Sequence, residues 1–65
     1  MIKESDVKRG LIYFDQFGQF RVMAVAEGWY MARRKGAMTV CYRVKDLVEA
    51  INADRLYLTE QDSGK

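Results

Sequence analysis

Sixty-five residues with a formal net charge of +2 allow one small domain, whose core is marginal unless packing is tight or the chain self-associates. Hydrophobic residues make up 49% of the chain and include one Trp, four Tyr and three Phe, which excludes global disorder. With no histidine and a single cysteine, Cys41, an intramolecular disulfide, a Cys/His zinc site and a histidine-activated nucleophile are excluded as well.

The chain opens with a polar lead-in over residues 1–8, charged where a signal peptide needs an apolar run. No stretch approaches the ~20 apolar residues of a membrane span. A cytoplasmic protein with no membrane partner is expected, its Cys41 kept reduced. Leu11 to Phe14 is β-prone and ends at Asp15-Gln16-Phe17-Gly18, a turn with a glycine available for positive φ. Phe20 to Ala26 alternates with a period of two. Glu27-Gly28 fits a tight turn, Trp29 to Arg34 a third strand, Lys35-Gly36 another tight turn, and Met38 to Val44 a fourth strand. No proline interrupts these pairings.

After Val44 the period changes. Asp46 is placed to cap a helix, with Glu49 three residues later and Leu47, Val48 and Ile51 as its apolar stripe. Asn52 or Asp54 would end it. Arg55 to Thr59 reads as a final strand and residues 60–65 as a frayed tail.

Turn placement predicts a register. A loop over residues 16–18 sets Phe14 against Phe20, Glu27-Gly28 sets Ala24 against Met31, and Lys35-Gly36 sets Met31 against Val40. One apolar face then holds Ile12, Phe14, Phe20, Val22, Ala24, Ala26, Trp29, Met31, Met38, Val40, Tyr42 and Val44, broken only by Arg33. Trp29 beside Tyr42 reads as core, and the methionines as gap-filling residues rather than metal ligands. The expected fold is a single, mainly β domain over residues 1–65: a four-strand meander, a short helix and a final strand, closed into a small, strongly bent antiparallel sheet or barrel. In this order of elements the chain resembles the SH3-like small barrels, a likeness of layout that carries little functional information.

The opposite face would carry Tyr13, Arg21, Tyr30, Arg34 and Arg43, with Arg33 and Lys35 extending the positive patch into the turn. Tyr13 would lie opposite Arg21, and Arg21 opposite Arg34, a like-charge pairing that costs some tenths of a kcal/mol unless an anion or water separates the two. The charge is uneven along the chain. Residues 1–44 hold eight Lys/Arg against four Asp/Glu, giving +4, and residues 45–65 three against five, giving −2. Arginine grips phosphate bidentately and tyrosine offers a flat stacking surface, so the leading expectation is a non-catalytic module that contacts nucleic acid. No ribonucleoprotein motif or phosphate loop accompanies the pattern.

The same face also carries Leu11, Met23, Val25, Ala32 and Cys41, an apolar set that suits a protein interface. The alternative is therefore a protein-interaction module meeting an acidic partner, an adaptor or inhibitor of the kind a phage or other mobile element encodes. A homodimer or homo-oligomeric subunit buried through this face is the third reading, and a merely solvated sheet face the plainest. The carboxylates Asp15, Glu27, Asp46, Glu49 and Asp54 fall at turns and on the helix, where turn formation and capping account for them. No cofactor, metal or catalytic residue is expected.

Overall fold

The computed structural model describes residues 1–34 and 36–58. Strands β1 (Ile12–Asp15), β2 (Gly18–Ala26), β3 (Trp29–Arg34) and β4 (Thr39–Arg43) form one antiparallel sheet in the order β1-β2-β3-β4. Helix α1 (Val44–Asn52) follows β4 without a loop, and a 3-10 turn (Glu4–Asp6) precedes the sheet.

The sheet is open. The expectation of a strongly bent or closed SH3-like barrel is overturned, because closure needs β1 and β4 joined through a further strand. The segment expected to form that strand contributes a single antiparallel bridge, Tyr57 to Phe14, with paired backbone bonds of 2.7 and 2.9 Å. That bridge lies on the outer edge of β1 and seals nothing. Thr59, Lys35 and the expected tail over residues 60–65 lie outside the described residues. The principal extents, 39 × 28 × 15 Å, are those of a thin slab made of a sheet with one helix laid on it.

Three local details set the register, and each departs from the simple turn count. Asp15 Oδ1 accepts hydrogen bonds from the backbone N–H of Phe17 (2.7 Å) and Gly18 (2.9 Å). This Asx arrangement tightens the first turn to two residues, pairing Tyr13 with Phe20 rather than Phe14 with Phe20. At the second turn Glu27 (φ 52°) and Gly28 (φ 82°) are both left-handed, as a two-residue hairpin of matching twist requires. Ala24 pairs with Met31 as the turn count predicts, but a bulge at Met23 then shifts the ladder, setting Val22 opposite Ala32 and Arg21 opposite Arg33. The third connection is longer than a tight turn, with Ala37 N–H donating to Arg34 O at 2.9 Å. Tyr30 consequently pairs with Tyr42 and Met31 with Cys41. A one-residue slip reverses the side on which every residue of a strand lies.

The faces are therefore redistributed. The buried core is Val7, Tyr13, Val22, Tyr30, Ala32, Val44, Leu47 and Ile51, with Ile2, Leu11, Phe20, Val40, Val48 and Leu56 packed around it. Trp29 and Met31, expected inside, lie on the uncovered face, and Met38, expected in β4, sits exposed in the connection before it. The lead-in also contributes: Val7 is buried, and Asn52 exchanges hydrogen bonds of 2.9 and 3.1 Å with the backbone of Ile2. The helix begins at Val44, two residues before the expected cap, so Asp46 sits in its first turn and favours the positive end of its dipole. Asp54, with φ 62°, follows its end.

If the faces are assigned correctly, Leu47→Ala should destabilise the domain by about 2–5 kcal/mol, while Met31→Ala should stay within about 0.5 kcal/mol of wild type. Urea midpoints read the difference. Comparable losses for the two variants would mean the sheet is facing the wrong way.

Candidate functional site

Pairing places three rows on the uncovered face of the sheet. Ile12, Arg21, Arg33 and Thr39 form the first, Ala24, Met31 and Cys41 the second, and Ala26, Trp29 and Arg43 the third. Trp29 is 43% and Met31 45% exposed, large apolar side chains left in water. Beside them the alanines at 24 and 26 leave a shallow apolar hollow of about 140 Å3, also lined by Cys41 and Tyr30. Its size suits one medium side chain. Arg43 stacks over the Trp29 ring with its guanidinium carbon 4.5 Å from the centroid, a cation–π contact that fixes the ring's orientation. Arg21 and Arg33, directly opposed across the ladder, are both exposed. The face thus has an apolar centre and a basic border.

Only part of the predicted site is assembled here. Arg21, Arg33 and Arg43 share this face with Cys41. Arg34 falls on the other face, opposite Phe20, where Nη2 donates to Phe17 O at 2.8 Å and the guanidinium lies over the Phe17 ring. Tyr13 and Tyr30, expected to stack on a ligand from the arginine face, are buried beneath the helix. Ala32 is fully buried and Leu11 half-buried against the core. Met23 occupies the bulge and Val25 pairs with Tyr30, both partly exposed. Lys35 lies outside the described residues.

Trp29 and Met31 are the residues of this face that sequence reasoning missed, having set them inside. Their signal was Arg33, the single charge in an otherwise apolar row: β3 alternates, so a solvated Arg33 carries Met31 and Trp29 outward with it.

The tyrosines make a second arrangement, between sheet and helix. Tyr13 stacks on Phe20 (5.1 Å between centroids, 4° between planes) and meets Tyr30 edge-on (6.3 Å, 83°). Their hydroxyl oxygens lie 3.5 Å apart, a long contact in which either can donate. Burial, chiefly, pushes the Tyr13 phenol far above its ordinary value, and the hydrogen bond to Tyr30 and the charge of Asp15 act in the same sense. Tyr30 is also raised, first by burial and then by Tyr42 and Asp46, although its bond to Tyr13 works the other way.

Among the described residues no group of His, Cys, Asp and Glu could hold a metal ion, and no helix is long and apolar enough to cross a membrane. No family model matches the chain, and no curated protein or solved structure matches it either.

Two measurements check these placements. In the unfolded chain both phenols lose their protons near pH 10, while in the folded state burial holds that loss to higher pH. The unfolded state then binds fewer protons, so stability present below pH ~10 should fall as pH rises beyond it. The double variant Tyr13→Phe, Tyr30→Phe should flatten that fall in urea midpoints taken at pH 8 and pH ~11, and an equally steep fall would count against buried phenols. For the other face, the ratio of iodide to acrylamide quenching of Trp29 should fall in Arg43→Ala, because losing the guanidinium uncovers the ring to both quenchers but withdraws the positive charge that attracts the anion alone. An unchanged ratio would deny the contact.

Proposed function

We propose that the protein is an interaction module whose uncovered sheet face docks against an acidic protein surface. The observation that carries this reading is the exposed Trp29–Met31 pair beside an apolar hollow, bordered by Arg21, Arg33 and Arg43. Aromatic, methionine and arginine residues around a small pocket are the composition of an interface centre, and a partner's apolar side chain filling the hollow would exclude water from the contact. The arginines favour an acidic border on that partner and speed encounter. They also weigh against two copies docking face to face, which would gather six arginines of one sign around the same centre.

Nucleic acid draws less support. Its stacking residues were Tyr13 and Tyr30, which are buried, and Trp29, the ring on the arginine-bordered face, is already stacked against Arg43.

The test is capture of partners by wild type and by Met31→Asp, Trp29→Ala and Arg33→Glu, with and without nuclease. The reading expects a nuclease-resistant protein whose binding Trp29→Ala weakens by about 2 kcal/mol, roughly 30-fold. Arg33→Glu should slow its association and reduce its salt dependence. Loss of all captured material on nuclease treatment, or binding indifferent to Trp29 and Met31, overturns it.

A further inference from the structure

A cavity of about 290 Å3 opens between the sheet and α1, on the side away from the arginine-bordered face. Its walls are Tyr13, Phe20, Tyr30 and Tyr42, four rings in a continuous series: Tyr13 is stacked with Phe20, perpendicular to Tyr30, and Tyr30 lies 6.3 Å from Tyr42 at 54°. Val40, Leu47 and Leu56 complete the apolar lining, while Asp15 and Asp46 supply two carboxylates. Among the described residues no lysine or arginine lines it, although the chain as a whole is basic. Arg34, opposite Phe20 on the same side of the sheet, has its guanidinium hydrogen-bonded to Phe17 O. Rings meeting at a corner, with carboxylates beside them and no lysine or arginine among the described lining residues, form an environment that a desolvated positive charge enters favourably.

We infer that this cavity binds an alkylammonium group, a quaternary or methylated amine, held against Tyr42 and Phe20 above the buried Tyr13 and Tyr30, with Asp46 and Asp15 balancing its charge. The volume accommodates such a head with a few carbons of stem. Methyl substituents suit the site better than a bare ammonium, since they spread the charge against the rings and need no hydrogen-bond acceptors. The phenols remain neutral at physiological pH, so the net charge of the cavity comes from the two carboxylates. This inference is independent of the docking surface on the other side of the sheet.

The experiment is an amide-shift NMR titration of the full chain with choline and, separately, with its uncharged isostere 3,3-dimethylbutan-1-ol. A trimethyllysine dipeptide forms a third arm, separating a free small molecule from a modified side chain as the natural source. Saturable shifts are expected at Phe20, Tyr42, Asp46 and Leu56, with the isostere at least ~5-fold weaker than choline. Asp46→Asn should weaken choline by ~3-fold or more while leaving the isostere unchanged, and Tyr42→Ala should weaken both. Tyr42 and Asp46 are exposed, so both variants should fold. Trp29→Ala must leave choline binding intact, because Trp29 is the ring on the opposite face that already attracts a cation, Arg43. Equal affinity for choline and the isostere, shifts centred on Trp29, or no saturable shift for either ammonium ligand overturns the inference.

Discussion

The structure depends on the packing of Leu47 with the opposed pair Val22 and Ala32 in one buried cluster. Val22 and Ala32 are fully screened from solvent at the middle of the sheet, and Leu47 is almost so. Ala32, which has no exposed surface, shares that cluster with Val44, Leu47 and Ile51 of the helix. With so few residues wholly buried, a domain of this size has little redundancy, and each supplies a large share of the apolar burial that offsets chain entropy. That the helix starts directly after β4 follows from the same constraint. No slack remains between Arg43 and Val44, so α1 must turn back over the sheet where Val44, Leu47 and Ile51 all reach the core.

Placing Val22 opposite Ala32 requires the bulge at Met23. Without it the hairpin at Glu27-Gly28 would set Val22 against Arg33, and the central row would mix apolar and charged residues. The bulge absorbs one residue and brings the two halves of β2 into register with different needs. Beyond it lies the core row; before the turn lie Ala24 and Ala26, which keep the outer face hollow. The Asx turn at Asp15 makes the corresponding adjustment at β1, carrying Tyr13 inward to meet Phe20 and Tyr30.

How much of this was legible in the sequence divides along a physical line. Alternation and turn residues located the four strands and their order, and the stripe of Leu47, Val48 and Ile51 marked the helix, because these signals are local. Which side of each strand faces the helix depends on single-residue events: a carboxylate gripping two amides, a bulge, and a connection longer than its Lys-Gly pair suggests. Each shifts a ladder by one residue, and a shift of one inverts the pattern. Three turns counted by the same rule carry errors of the same kind, so a common face follows from the rule and not from independent constraints. Tyr13 and Tyr30 went inward, while Trp29 and Met31 went outward. Arg33, whose charge could not be buried in the expected core row, was the residue at odds with the simple count.

Once the register is corrected, the two sides of the slab separate chemically. The helix side gathers Tyr13, Phe20, Tyr30 and Tyr42 with Asp15 and Asp46, and the open side gathers Arg21, Arg33 and Arg43 around Trp29 and Met31. A net charge of +2 conceals this division. The arginines alone do not explain the open side, since charges of one sign at opposed positions repel and a solvated edge needs no tryptophan. Nor does folding require Met31 and Trp29 to be large, because neither contributes to the buried cluster. Exposing them raises the free energy of the isolated domain relative to burial against another surface, and that surplus is what a partner with a complementary face can recover.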